Sequence, residues 1–127
     1  MNADTIKKYS KLSTPNLKKK AQIVFNAWIR KRDAESPCIS CGSYNTEHAS
    51  HYYSAGKHNN LRFEEDNVWL SCKKCNYFMH GNLIPYRENL IKKIGLERVE
   101  RLDMLSKIRS TKDDRFLFIE IIERYKE

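Results

Sequence analysis

The sequence predicts an α+β protein, a small metal-stapled core flanked by an N-terminal helix and C-terminal helices. Three observations predict it. Four cysteines fall as two Cys-x2-Cys pairs, Cys38/Cys41 and Cys72/Cys75. Helical periodicity runs on both sides of them, over 15–32 and again over 86–125. Between the pairs the chain is aromatic and loop-rich, with short strand-like runs. A chain of 127 residues has the length of one domain. Its expected parts are a basic helix over 14–33, a stapled core over 37–82 and C-terminal helices over 83–127.

Ser13-Thr14-Pro15 marks a helix start, with Thr14 as N-cap and Pro15 in the first turn, where a missing N–H costs nothing. Leu17, Ala21, Val24 and Trp28 then recur at helical spacing, and Phe25 and Ile29 widen the stripe. Lys18, Lys19 and Lys20 cluster near the start of this helix, Arg30, Lys31 and Arg32 near its end. Ser36-Pro37 stops it. In the core, Ala49–Tyr53 reads as a strand, Ser54–Asn60 as a loop and Leu61-Arg62-Phe63 as a second short strand. Val68-Trp69-Leu70 carries apolar residues into the second cysteine pair, where a helix is expected to run to about His80 and end on Gly81. A further helix follows Pro85 from Tyr86 to Ile94 and closes on Gly95. Leu96, Val99, Leu102 and Leu105 mark the next. Thr111-Lys112-Asp113-Asp114 reads as a capping box opening a last helix through Phe116, Ile119, Ile122 and Tyr125.

Two thiolates two residues apart grip one metal from a tight knuckle, and two knuckles complete a closed tetrahedral zinc site. Gly42, directly after Cys41, tolerates the positive φ such a turn needs. The alternative is a pair of disulfides, which an intracellular chain keeps reduced. The segment Met1–Lys8 has no hydrophobic stretch of the secretory kind, and no apolar run approaches the roughly 20 residues of a bilayer span. The expected location is therefore cytoplasmic, with no membrane partner.

The chain carries 24 Lys+Arg against 16 Asp+Glu, a formal charge of +8, and four thiolates with one Zn²⁺ leave it clearly basic. The first 32 residues hold nine Lys/Arg and one acid, Asp4. Such a surface favours a polyanion, most often nucleic acid.

A zinc finger that only binds DNA would place a basic recognition helix after its ligands. Here His48, His51, Asn67, Asn76, His80 and Asn82 gather around the cysteines instead. A strand-borne His, then an Asn, then a ligand-capable residue on a helix is the residue order of a ββα-metal (HNH-like) nuclease core. The residue types suit the chemistry. A neutral His51 can deprotonate water near pH 7. A Mg²⁺- or Mn²⁺-type ion stabilises charge on phosphate oxygens and needs only one or two protein oxygens, of which Asn76 can offer one. Zinc held by four thiolates has no open position for that task.

The stretch Phe25–Asp33, then Pro37-Cys38-Ile39-Ser40-Cys41-Gly42, resembles the phage NinG (Rap) recombination proteins. So do Ser50-His51-Tyr52, Leu61-Arg62-Phe63, Asn67, Cys72-x2-Cys75-Asn76, Gly81-Asn82, Pro85-Tyr86-Arg87 and Leu90-Ile91-x2-Ile94-Gly95. The resemblance runs from about residue 21 to 102, more weakly to the C-terminus. It implies a metal-dependent endonuclease of phage recombination acting on branched DNA, such as Holliday junctions and D-loops, in a phage-infected or prophage-bearing bacterium. A homodimer is one assembly this leaves open. Two departures stand out. Many HNH enzymes place an acid directly before the catalytic His, where this chain has Ser50. Relatives carry an acid three residues before it, where this chain has His48. Glu47, His48, Glu64, Glu65 and Asp66 are the candidates for the second metal ligand. Longer relatives have a basic, cysteine-containing N-terminal extension with no counterpart in these residues.

The site expected is thus His51 as general base, Asn67 as a brace that positions it, and Asn76, with His48 or His80, at the catalytic metal. Lys18, Lys19, Lys20, Arg30, Lys31, Arg32 and Arg87 are the expected DNA contacts, Arg87 with Tyr86 at a helix start. A non-catalytic zinc-dependent DNA-binding module and an HNH nuclease of linear duplex are the alternatives.

Overall fold

The computed structural model describes residues 1–127. The elements in chain order are α1 (Ala3–Lys8), α2 (Thr14–Arg32), β1 (Thr46–His51), β2 (Val68–Cys72), α3 (Leu83–Ile94), α4 (Leu96–Ser106) and α5 (Arg115–Tyr125). Short 3-10 turns lie at Asn59–Leu61 and Glu65–Asn67, and a π-helical turn at Lys74–Phe78. The protein is mixed α/β with a single two-stranded sheet. It divides into two compact units, Met1–Trp28 with Lys112–Glu127, and Ile29–Thr111. Helix α2 contributes to both.

In the first unit, Leu17, Ala21 and Phe25 of α2 are fully buried at a strict four-residue spacing, and α5 buries Phe118, Ile119 and Ile122. The centre of the α2 stripe is therefore Phe25, with Val24 and Trp28 at its margin. Phe25 meets Tyr125 edge to face at 4.9 Å, and Trp28 meets the same ring at 5.0 Å. The α2 cap is Ser13, whose Oγ accepts from Asn16 N at 3.2 Å; Thr14 is already helical and accepts from Arg115 instead. At α5 the cap is Asp114, accepting from Phe116 N at 2.9 Å, in place of Thr111. Helix α1 has no apolar stripe to announce it. Asn2 caps it through Thr5 N, and the buried Tyr9 follows it.

In the second unit, β1 and β2 pair antiparallel, with Ser50 opposite Trp69 and His51 opposite Val68. A register shift between Thr46 and His48 leaves Glu47 as an extra residue, a bulge at the edge of the hairpin. Every residue of β2 is buried, and Trp69 packs with Tyr86 and Leu90 of α3 and with Val99 and Leu102 of α4. Ile39, Leu61, Trp69, Tyr86, Leu90, Val99 and Leu102 form the core, with Tyr52, Tyr53, Ile91, Ile94 and Leu105 packed against it.

The strand expected at Leu61-Arg62-Phe63 is absent. Leu61 ends a 3-10 turn and Arg62 caps it, and the turn is fixed by tertiary bonds: Asn59 donates to Ser110 Oγ and Thr111 O, and Asn60 to Leu105 O. The helix expected after Cys72 is one π turn, and β1 begins and ends earlier than the sequence suggests.

Candidate functional site

The cysteines converge. All four are free thiols, and their sulfurs lie within 4.8 Å of one another. Cys41 Sγ and Cys72 Sγ are 3.7 Å apart. That is too long for a disulfide and close to the edge of about 3.8 Å of a tetrahedron with metal–sulfur bonds of about 2.3 Å. The donor set therefore fits a tetrahedral metal ion of the zinc kind. Backbone geometry prepares the sulfurs for charge: Cys41 N points at Cys38 Sγ at 3.5 Å and Cys75 N at Cys72 Sγ at 3.4 Å. Burial raises the Cys38 thiol, but N–H groups of Cys41, Cys72 and Ser40 outweigh it and draw the group down to about 7. Burial pushes Cys75 up to about 12, opposite in direction to Cys38.

The knuckles are tied together away from the sulfurs. Ser40 Oγ donates to Gly81 O at 2.9 Å. Asn89 on α3 donates to Ile39 O and Ser40 O. Asn82 Nδ2 reaches Cys75 Sγ at 3.5 Å, a contact from outside the ligand set of the kind that steadies a metal thiolate. Gly42 and Gly81 take φ of 79° and 95°, which other residues adopt only at a cost.

Beside this cluster, Asn76 stands directly after Cys75 on the π-helical turn. Its Oδ1 accepts from Ser50 Oγ at 2.9 Å, and its Nδ2 donates to His48 Nδ1 at 3.1 Å. His48 Nε2 lies 3.8 Å from Glu47 Oε1. His48 and Ser50 alternate with His51 along β1, so they share a face of the strand. Ser50 is held from behind as well: Tyr86, fully buried on α3, donates its hydroxyl to Ser50 O at 2.6 Å. The expected phosphate role of Tyr86 at a helix start is thereby excluded.

His51 ends β1 and makes a different bond. Its Nε2 is 3.0 Å from Arg62 O. A carbonyl only accepts, so Nε2 carries the proton and Nδ1 keeps the lone pair. Burial holds this imidazole below its ordinary pKa; the bond to the Arg62 carbonyl works against that and the Arg62 charge with it, and the net direction favours the neutral ring. Asn67, fully buried, accepts from Tyr53 N and donates to Tyr53 O and Leu61 O. It thus brackets the loop between His51 and Arg62.

Of the other candidate ligands, Glu64 pairs with Arg101 and Asp66 with Arg98, while Glu47 and His48 sit near Asn76. His80 is exposed in the turn that follows, at φ 50°.

The basic residues separate. Lys19, Lys20, Arg30 and Lys31 are exposed. Lys18 pairs with Asp113 at 2.9 Å. Arg32 turns inward: it forms a two-pronged pair with Asp33, donates to Glu65 O and Val68 O, and stacks 3.9 Å from the Trp69 ring centre. Asp33 in turn accepts from Leu70 N. Arg87 makes a two-pronged pair with Asp103 and donates to Tyr52 OH. Both arginines are committed to holding the fold. The inward role of Arg32 had one sequence signal, the acid directly after it; Tyr86, Asn89 and Ser50 had none of that kind.

Two paired strands followed by a helical turn, with four clustered cysteines that could hold a metal ion and a polar cluster beside them, define a protein of mixed α/β class. The chain belongs to the NinG family: the family described as "Bacteriophage Lambda NinG protein" matches residues 2–127. Among curated relatives, the protein ninG of Escherichia phage 933W and that of Escherichia phage lambda are each 44% identical over 87 residues. The ninG protein of Salmonella phage P22 is 42% identical over the same length. These matches cover 67% of this chain and 43% of each relative, so the chain spans less than half the length of the relatives it matches. No solved structure matches it. No helix is long and apolar enough to cross a membrane.

Proposed function

We propose that this protein is a metal-dependent, structure-specific endonuclease that hydrolyses phosphodiesters in branched DNA, built on a zinc-stapled ββα-metal core. The observation that carries the reading is the pairing at the end of β1. Ser50 is bonded to Asn76, the residue after the last cysteine, and the residue after Ser50, His51, sets its Nε2 3.0 Å from Arg62 O, an arrangement in which a neutral ring keeps its lone pair on Nδ1.

Zinc on Cys38, Cys41, Cys72 and Cys75 has a structural role in this reading, fixing Asn76 against β1. His51 Nδ1 takes a proton from water as its oxygen attacks phosphorus in line. The bond to the 3′ oxygen breaks, leaving a 5′-phosphate and, after protonation, a 3′-hydroxyl. A Mg²⁺ or Mn²⁺ ion, when bound, supplies charge stabilisation at the phosphate oxygens. Asn76 Oδ1, Ser50 Oγ and the His48 ring are the donors grouped to hold it, an oxygen-poor set that suits an ion keeping most of its water. Asn67 positions His51 by bracing the loop around it. Exposed Lys19, Lys20, Arg30 and Lys31 supply phosphate contacts.

One observation favours a second reading. The carboxylate that meets the Asn76 cluster, Glu47, stands 3.8 Å from His48 Nε2 and is bonded to neither Ser50 nor Asn76 through the contacts above, as a non-catalytic DNA-binding module would allow. Incubating the protein and His51→Ala with four-way and linear duplex DNA plus Mg²⁺ or Mn²⁺ separates the readings. Cleavage of four-way DNA by the wild type alone is expected. Binding without cleavage by the wild type supports the module, and equal cutting of linear duplex supports a nuclease without branch specificity.

A further inference from the structure

Five large apolar side chains stand exposed just past Asn76: Tyr77, Phe78, Met79, Leu83 and Ile84, with Tyr77 67% and Phe78 66% accessible. Aromatic rings bury readily, and a contiguous exposed group of them marks a contact surface. The Tyr77 and Phe78 rings lie edge to face, 5.2 Å apart at 75°. Their backbone is set firmly. Met79 N donates to Lys74 O, Gly81 N to Cys75 O and Asn82 N to Met79 O. His80, Gly81 and Asn82 all hold positive φ, and Ser40 clamps Gly81 O from the first knuckle. The rings are thus presented from a pinned turn that the cysteine cluster anchors.

Lys73 and Lys74, both exposed, precede the rings on the same turn, and Asn76 lies between the lysines and Tyr77. Cationic side chains beside exposed rings are what a single-stranded or unpaired nucleic acid engages: phosphates take the charges, base faces take the rings. A paired linear duplex hides its base faces in the stack. A branch point exposes them, and stacking on a ring is indifferent to sequence, which suits recognition of shape. A second copy of this chain is the competing occupant. A two-fold contact through this patch would press Lys73 and Lys74 towards their own copies, an unfavourable juxtaposition.

We propose that Tyr77 and Phe78 form a stacking platform for unpaired bases at a DNA branch point, next to the site that would cut. This rests on the endonuclease reading above and assigns its branch recognition to these two rings.

The test measures binding without divalent cation, so that no strand is cut. A four-way junction carrying 2-aminopurine at the crossover and a linear duplex of the same sequence are titrated with wild type, Tyr77→Ala/Phe78→Ala and Phe78→Trp. The double variant should lose about 5- to 150-fold in junction affinity for each base stack removed. Its linear-duplex affinity should hold, because phosphate contacts remain. Phe78→Trp should keep both the junction affinity and the fluorescence change. The platform is overturned if the double variant keeps the wild-type preference for the junction, or if it loses only self-association in sedimentation. In those cases wild-type cutting of branched DNA leaves the nuclease reading standing. A wild type with no affinity for any DNA would overturn both.

Discussion

Asn67 and Tyr53 clasp each other from both ends of a peptide unit: Tyr53 N donates to Asn67 Oδ1 at 2.9 Å, and Asn67 Nδ2 donates to Tyr53 O at 3.0 Å. The same amide also reaches Leu61 O, while Tyr52 N donates to Asn67 O. One buried side chain thereby closes the loop that sets His51 against Arg62 O. Asn67→Ala strands three backbone groups, Leu61 O buried and Tyr53 N and O part-buried, and should destabilise the protein by about 2–3 kcal/mol. Asn67→Asp should cost as much, since a carboxylate cannot donate to either carbonyl. Urea midpoints check both. Under the nuclease reading the variants lose rate without losing metal at the cysteines.

The cysteine cluster should carry one zinc per chain. Four thiolates confined within 4.8 Å repel one another unless a cation compensates them, so metal binding and folding of this region are coupled. Elemental analysis should return about one zinc per chain. Cys41→Ser or Cys75→Ser should lose it, and chelation should collapse the near-UV signal of Trp69. A fully folded, metal-free protein would exclude the site.

What the sequence made legible was what neighbouring residues decide. The Cys-x2-Cys spacing, the helical period of α2 and the Gly95 break between α3 and α4 are local patterns, and the structure keeps them, with the α2 stripe centred on Phe25 rather than on Val24 and Trp28. What the sequence hid depends on partners far along the chain. Leu61-Arg62-Phe63 has strand-like composition, but Asn59 and Asn60 are held by residues 105–111. Arg32 looks like one more surface cation until Val68 and Trp69 fold over it. The Ser50–Asn76 bond joins residues 26 apart. Caps were misplaced by short shifts because Ser13, Thr14, Thr111 and Asp114 are all competent, and tertiary context chooses among them.

Arg32 and its neighbours on α2 should respond differently to neutralisation. Arg32→Ala removes one partner of a pair with the buried Asp33 and should cost about 3 kcal/mol of stability. Replacing Lys19, Lys20, Arg30 and Lys31 together should cost less stability than Arg32→Ala and weaken duplex binding. If all four engage phosphates, the wild-type log–log salt slope is about −4, and the quadruple variant should flatten it. Unchanged affinity and slope would remove α2 from the DNA interface.

The Arg87–Asp103 pair gives the fold a pH dependence. The Arg87 guanidinium holds the Asp103 carboxyl below its ordinary range, and the Tyr53 hydroxyl adds to that. A depressed acid contributes stability that is fully present above its unfolded pKa of about 4 and fades as pH falls through the lower folded value. Asp103→Asn should therefore melt below wild type at pH 7, and the gap should narrow below about pH 4. Comparing the two proteins at each pH cancels the contribution of the cysteines, which lose metal in acid in both. A gap independent of pH would assign the role of Asp103 to packing alone.

Under the nuclease reading, Asn76 and Ser50 set how strongly the cluster holds a catalytic cation. Asn76 Oδ1 is the strongest neutral oxygen donor there, and Ser50 stands where many HNH enzymes place an acid. Asn76→Ala should lower cleavage at millimolar Mg²⁺ by roughly ten- to a hundredfold, and raised Mn²⁺ should recover part of it, because weakened occupancy is refilled by mass action. Ser50→Asp should do the reverse: a carboxylate beside Asn76 attracts a hard dication more than a hydroxyl does, so half-maximal cleavage should need less Mg²⁺. His51→Ala should show neither behaviour, since its loss removes the base, and no cation concentration should restore the rate. Metal titrations of cleavage on one four-way substrate check all three. If Asn76→Ala and wild type share the same metal dependence, the cation is held elsewhere, and the bond between Ser50 and Asn76 serves only to lock the π-helical turn against β1.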